Sequence, residues 1–183
     1  AGRGRCRGPK KWRGGVGACG GLWRRVRLGY KLVLAGEKGG NWKEVQKEAD
    51  RRGIGSLVLI PGFIGDDDLP ALYSSADLFV YPSLYEGFGL PPLEAMACGT
   101  PVVCSNSSSL PEVVGDGGLL VAPRSATLRA AITEVMTNET LRQRLRRRGS
   151  EGPASFRWDQ TVDKTLGRVG ELYRCHDRRA INM

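Results

Sequence analysis

Glu86 and Glu94 bracket a short glycine-rich loop that runs into an apolar segment. Gly87 and Gly89 allow the backbone a positive φ and a close approach to a ligand. The backbone N–H groups of residues 88–90 would lie at the start of a helix, where the dipole and the unpaired donors favour an anion such as phosphate. The two carboxylates would then accept hydrogen bonds from hydroxyl groups at the neutral ends of the same ligand. This layout suits a nucleotide sugar, although an acidic first helical turn explains the two glutamates equally well.

The segments around this loop indicate which elements position it. Residues 77–81 and 101–104 are short apolar runs that are typical of buried strands. Between them, residues 93–98 predict a helix with proline in its first turn and Gly99 just after its end. The loop therefore lies at the carboxyl end of a strand, which is where open α/β sheets bind ligands.

The alternation of strands and helices continues along the chain. Further strands are predicted at 31–36, 57–60 and 119–121, and further helices at 41–53, 66–73, 125–137, 138–148 and near the carboxyl terminus. Alternating elements of this kind predict an α/β fold, a Rossmann-like parallel sheet with helices on both faces.

Local patterns also predict how two helices begin. Asp66, Asp67 and Asp68 are expected to satisfy a helix N-terminus rather than to bind a metal, because no partner stands at ligand spacing. Ser109 and Glu112 form a capping box, which predicts Ser109 as an N-cap.

Composition argues against a zinc site. Five cysteines, odd in number and without CxxC spacing, accompany a single histidine. Reduced thiols and a cytoplasmic location are therefore expected. An apolar stretch long enough to span a membrane is missing from the sequence. The arginine-rich segment 142–148 is expected to be a solvated helix end rather than a membrane-binding surface.

The net charge of +9 is confined to one end of the chain. Nine of the 28 basic residues lie within residues 1–30, which contain no acid, and the other 19 are balanced by the 19 acids. We therefore divide the chain into a Gly/Arg-rich arm at 1–29 and a domain at 30–183, and we expect no nucleic-acid partner for the domain. The arm could be a disordered segment that contacts nucleic acid or anionic lipid, a diverged first strand and helix, or non-native sequence. The abrupt onset of regular patterning at Tyr30 favours the last.

Residues 81–103 contain the run Glu-Gly-Phe-Gly-Leu-Pro-Pro-Leu-Glu and closely resemble the E-x7-E signature of family 4 of the retaining GT-B glycosyltransferases, the glycosyl transferases group 1. Residues 110–121 resemble the next block of that family. The resemblance extends over residues 30–173, which correspond to the carboxyl-terminal, donor-binding domain of a GT-B fold. It implies retaining transfer of a hexosyl group from a nucleotide-diphosphate sugar to a glycan or lipid-linked acceptor in polysaccharide biosynthesis, without a metal or other cofactor.

The resemblance also implies roles for individual residues. Glu86 would belong to the catalytic centre and would bind and orient hydroxyls of the donor sugar rather than act as a general base, while Glu94 would bind the ribose. Backbone N–H groups of the loop would stabilise the diphosphate leaving group, and the loop after the strand at 57–60 would contact the base. The implied donor site comprises Glu86, Gly87, Phe88, Gly89, Leu90, Glu94, Gly62 and Phe63.

Two features of the family have no clear counterpart in the sequence. The amino-terminal GT-B domain, which holds the acceptor, lies outside the resemblance, so we expect this missing domain as a partner and no turnover by the chain alone. The diphosphate-binding Arg/Lys pair has only a poor match in Arg5 with Lys10 or Lys11. A catalytically inactive nucleotide-sugar-binding module stays open as the alternative, and so does peripheral contact with the inner face of a membrane.

Overall fold

A computed structural model of the chain describes residues 29–37, 42–152, 156, 159, 161–169 and 171. Its strands are β1 (Leu32–Ala35), β2 (Val58–Gly62), β3 (Phe79–Tyr81), β4 (Val102–Ser105) and β5 (Leu119–Val121). Its helices are α1 (Trp42–Arg51), α2 (Leu69–Ser74), α3 (Leu90–Ala97), α4 (Leu110–Val114), α5 (Ser125–Thr137) and α6 (Glu139–Glu151), with a 3-10 turn at Gly55–Leu57. Residues 161–169 are also helical. The predicted arm, including Arg5, Lys10 and Lys11, lies outside the described residues except for Gly29.

The five strands pair in parallel and confirm the predicted α/β class. β1 pairs with β2, and β4 lies between β3 and β5, so that the strands form two hydrogen-bonded groups. Leu32 on β1 packs against the apolar clusters of both groups, which joins them in the interior.

Strand β4 is the centre of the core. All four of its residues are buried, as expected of a parallel strand that is covered on both faces. Because successive side chains point to opposite faces, Val103 packs with α5 and α6 while Val102 and Cys104 pack with α2, α3 and α4. Burial raises the pKa of the Cys104 thiol to about 12, so this cysteine is an apolar core residue rather than a nucleophile.

Helix α5 shows how the sequence pattern places a helix on the sheet. Its buried residues are Leu128, Ala131, Ile132 and Val135, which recur at the spacing of one helical face. Helix α6 follows directly, with Asn138 as its N-cap, because the Asn138 side chain accepts a 3.0 Å hydrogen bond from the N–H of Leu141.

The predicted end of α3 is confirmed. Gly99 has a φ of 74°, and its N–H donates to the Met96 carbonyl at 2.9 Å. The N–H of Thr100 donates to the Ala95 carbonyl at 2.9 Å. This pair of bonds is the Schellman motif, which satisfies carbonyls that the last helical turn leaves without a partner.

The two predicted side-chain caps are wrong. Asp68 and Ser109 precede α2 and α4, but neither side chain accepts a capping hydrogen bond, and both residues have helical backbone angles. A side-chain cap requires an extended backbone at that position. Helix α2 begins instead from a backbone turn, in which the N–H groups of Asp68 and Leu69 donate to the Gly65 carbonyl at 3.0 and 3.2 Å.

Within the part of the chain that the structure describes, no helix combines the length and the apolar character that crossing a bilayer requires.

A pair of leucine substitutions tests which residues form the core. Leu128 is 1% exposed and Leu166 is 64% exposed. We expect Leu128→Ala to lower the free energy of unfolding by about 2–5 kcal/mol, because it leaves a cavity between α5 and the sheet. Leu166→Ala should change it by less than about 0.5 kcal/mol. Urea unfolding followed by circular dichroism measures both, and similar losses for the two variants would contradict this core.

Candidate active site

The loops that follow β3 and β4 meet at the carboxyl edge of the sheet. Residues 82–89 connect β3 to α3, and residues 106–109 connect β4 to α4. Because β3 and β4 are adjacent and parallel, their carboxyl ends lie side by side. Hydrogen bonds between the two loops fix the backbone around Glu86.

Gly89 makes the turn from the first loop into α3. It occupies the N-cap position with φ 116° and ψ 45°, a left-handed conformation that side chains disfavour. A Cβ atom at this position would also lie 2.8 Å from Cδ2 of Leu110 on α4. Gly87, in contrast, has no positive φ and has open space around its Cα. The expectation of positive φ is therefore confirmed for Gly89 and wrong for Gly87.

The start of α3 leaves a small set of backbone donors. Pro91 and Pro92 occupy the first turn and have no N–H. The N–H of Leu93 already donates to the Gly89 carbonyl, at 3.4 Å. Among the residues that the structure describes, the N–H groups of residues 88–90 make no hydrogen bond. These donors stand at a helix N-terminus, which is the arrangement that binds anions in many proteins.

Glu86 is held through both its side chain and its main chain. The buried hydroxyl of Ser83 donates to the Glu86 carboxylate. The Ser108 hydroxyl donates to the Glu86 carbonyl at 2.5 Å and accepts from the Glu86 N–H at 3.4 Å. Glu86 itself is half-buried, so its carboxylate is restrained and still accessible.

Ser109 bonds across the two loops instead of capping α4. Its hydroxyl lies 2.5 Å from the carbonyl of Phe88 and 3.1 Å from the carbonyl of Glu86. Sequence reasoning missed this contact and the roles of Ser83 and Ser108. A serine three residues before Glu86 gave a weak local signal for Ser83, whereas Ser108 lies 22 residues away and gave none.

Glu94 lies on the exposed side of α3 and has one buried partner. The Tyr73 hydroxyl donates to Oε2 of Glu94 at 3.1 Å. Burial, assisted by the nearby Glu94 carboxylate, raises the pKa of the Tyr73 phenol well above its usual range. Tyr73 therefore stays protonated and remains a donor. Its own position is fixed because its carbonyl accepts a 2.6 Å bond from the buried hydroxyl of Thr100.

The other predicted site residues lie at the ends of strands and helices as expected. Gly62 ends β2 with φ 93°, and its carbonyl accepts a 2.9 Å bond from the N–H of Gly36. Phe63 follows it and is 60% exposed. Phe88 is also exposed, and its ring makes an edge-on contact with the ring of Phe156 at 5.6 Å between centroids. Leu90, the first residue of α3, is exposed as well.

The described residues contain no group of three His, Cys, Asp or Glu side chains placed to hold a metal ion. Glu86 and Glu94 have separate partners, Ser83 and Tyr73. The arrangement thus offers anion-binding N–H groups between two carboxylates that can accept hydrogen bonds from hydroxyls.

Two glycine substitutions test whether the turn into α3 requires the left-handed backbone of Gly89 or only a flexible loop. We expect Gly89→Ala to lower the free energy of unfolding by about 1–2 kcal/mol, because alanine disfavours the left-handed backbone and its Cβ presses on Leu110. The matched variant Gly87→Ala should change it by less than about 0.5 kcal/mol. Chemical unfolding of both variants measures the difference. Equal losses would show that the turn does not depend on Gly89.

The Tyr73 phenol predicts a loss of stability at high pH. Its pKa is raised in the folded state, while an unfolded tyrosine titrates near about pH 10. The protonated phenol therefore favours the folded chain below about pH 10, and that contribution falls as the pH rises further. Between about pH 8 and 11, the unfolding free energy should fall more steeply for the native chain than for Tyr73→Phe. Parallel pH profiles would contradict a protonated, buried donor.

Comparison with known proteins gives a match to one family over most of the chain. A family model described as glycosyl transferases group 1 matches residues 10–152. The O-antigen chain mannosyltransferase B of Escherichia coli is 41% identical over 142 residues, which are 77% of this chain and 37% of that protein. A GDP-mannose-dependent alpha-(1-6)-phosphatidylinositol dimannoside mannosyltransferase of Mycobacterium tuberculosis is 33% identical over 153 residues, 80% of this chain and 38% of that protein.

A solved structure shows which part of such proteins the chain represents. The carboxyl-terminal domain of a glycosyl transferase group 1 family protein from Francisella tularensis matches with a TM-score of 0.71 and 25% identity, over 82% of this chain and 81% of that domain. The chain thus spans less than two fifths of its curated relatives and most of an isolated carboxyl-terminal domain. The family and domain inferred from the sequence are confirmed: the chain belongs to the glycosyl transferases group 1 family.

Proposed function

We propose that this chain is the donor-binding half of a glycosyltransferase that moves a hexosyl group from a nucleotide-diphosphate sugar with retention at the anomeric carbon. The observation that carries the proposal is the set of unbonded N–H groups at residues 88–90 between the carboxylates of Glu86 and Glu94. A diphosphate would accept from these N–H groups, and its neutral sugar ends would face the carboxylates. Neither glutamate is assigned a covalent step.

Each group would contribute through position and charge. The N–H donors would stabilise the negative charge that develops on the departing diphosphate, because they are fixed by the start of α3 before the reaction begins. Glu86 would accept from hydroxyls of the transferred sugar, with its carboxylate oriented by Ser83. Glu94 would accept from the ribose, with one oxygen already bonded to Tyr73. Gly62 and the exposed Phe63 would lie against the base.

We propose GDP-mannose as the first donor to test. The two relatives described above are mannosyltransferases, and one of them is named as GDP-mannose-dependent. The acceptor would be a glycan or a lipid-linked glycan, held by an amino-terminal domain that occupies the part of the relatives beyond this chain. Catalysis would require that domain and no metal, and would take place in the cytoplasm, with any membrane contact peripheral.

We keep one alternative, a catalytically inactive module that binds a nucleotide sugar. The N–H groups of residues 88–90 and the two carboxylates could hold a sugar nucleotide without transferring its sugar. Mixing the chain with the amino-terminal half of a relative and GDP-mannose distinguishes the two functions, since only the transferase would release GDP in the presence of an acceptor.

Calorimetric titration tests donor binding directly. We expect the chain to bind GDP-mannose with a Kd below about 1 mM, and Glu94→Ala to weaken binding by about tenfold or more, because it removes a charged hydrogen-bond acceptor. Glu134→Ala is the matched control, since Glu134 is an exposed glutamate on α5, which packs on the face of β4 opposite to α3. Absence of binding by GDP-mannose, UDP-glucose and ADP-glucose would overturn the proposed function.

A further inference from the structure

We propose that Ser108 is a positioning residue that sets the direction of the Glu86 carboxylate towards the donor sugar. The inference rests on the proposed function and concerns a different loop, the connection from β4 to α4. Ser108 would touch no part of the donor itself. It would act through the main chain of Glu86.

The first argument is the pattern of hydrogen bonds. The Ser108 hydroxyl donates to the carbonyl of Glu86 and accepts from the N–H of the same residue, at 2.5 and 3.4 Å. A single oxygen that bonds both backbone groups of one residue restrains φ and ψ of that residue together. The direction of the Glu86 Cα–Cβ bond follows from those two angles. The Ser108 hydroxyl therefore controls the direction in which the Glu86 side chain leaves the backbone.

The second argument is the backbone conformation of Ser108. Its φ is 55°, and it is the one non-glycine residue with a positive φ in the part of the chain that the structure describes. Glycine would adopt this conformation without strain. A serine held there keeps a conformation that side chains disfavour, and strain of this kind persists where surrounding contacts require it. The contact present here is the one with Glu86.

The third argument is that the neighbouring serines hold the rest of the same unit. Ser83 orients the carboxylate of Glu86, and Ser109 bonds the carbonyl of Phe88 at 2.5 Å and, more weakly, that of Glu86 at 3.1 Å, so that Ser108 is the one serine of the three that also bonds the Glu86 N–H. The N–H groups of residues 88–90 therefore retain a separate support from Ser109 and from the start of α3. Loss of the Ser108 hydroxyl should disturb the recognition of the sugar and leave the binding of the diphosphate in place.

The test compares GDP with GDP-mannose on the full 183-residue chain. Ser108→Gly removes the hydroxyl and suits the left-handed backbone, so the variant should unfold at the same temperature as the native chain or at a higher one. Ser107→Ala is the matched control, because the Ser107 hydroxyl makes no hydrogen bond among the described residues. Calorimetry measures both dissociation constants for each protein.

We expect Ser108→Gly to weaken GDP-mannose binding by about tenfold and to change GDP binding by less than about twofold. The unfolding temperature of this variant should not fall. Ser107→Ala should change neither affinity. Equal losses for GDP and GDP-mannose, or no loss for either, would overturn the positioning role while leaving the donor site standing. If the native chain binds GDP and GDP-mannose with equal affinity, the positioning role is also overturned, because the mannose then contributes nothing to binding. Native chain that binds neither ligand would overturn the proposed function, and this inference with it.

Discussion

The left-handed backbone at Gly89 is the constraint on which the candidate site depends. It turns the chain from the β3 loop into α3, and it does so where a Cβ atom would meet Leu110 on the neighbouring helix. The turn leaves the N–H groups of residues 88–90 unbonded, while Pro91 and Pro92 continue the helix without adding donors. One glycine thus determines both the packing of α3 on α4 and the position of the anion-binding groups.

The two glutamates are positioned by different parts of the fold. Glu94 lies on a helix and bonds to a tyrosine of α2, whose ring packs edge-on against Phe79 of β3 at 5.4 Å between centroids. Glu86 lies on a loop and is held by serines of its own loop and of the β4–α4 loop. Parallel β3 and β4 bring these supports together, because their carboxyl ends lie at the same edge of the sheet. The core around β4 therefore determines the geometry of the site.

The sequence predicted the elements of the described domain and the residues of the loop, because apolar periodicity and a long signature are local properties. It predicted the caps at Asp68 and Ser109 wrongly: a local backbone turn onto Gly65 starts the helix after Asp68, and tertiary contacts engage Ser109. The Ser109 hydroxyl bonds carbonyls 21 and 23 residues away, and no local pattern records that competition. The Tyr73–Glu94 bond joins residues that are 21 apart in sequence, so no local pattern predicts it either. Gly87 and Gly89 look alike in sequence, and they differ only in the folded chain, where Gly89 alone of the two has a positive φ and lies against Leu110.

The unbonded donors at the start of α3 have a consequence for charge balance. Residues 82–94 contain two carboxylates and no lysine or arginine. Peptide N–H groups carry only partial charge, so a bound diphosphate would leave this segment strongly negative. Cationic side chains outside the segment would then have to supply the neutralising charge. The affinity for a diphosphate would depend jointly on uncharged N–H donors and on remote positive charge, and added salt would weaken the second contribution far more than the first.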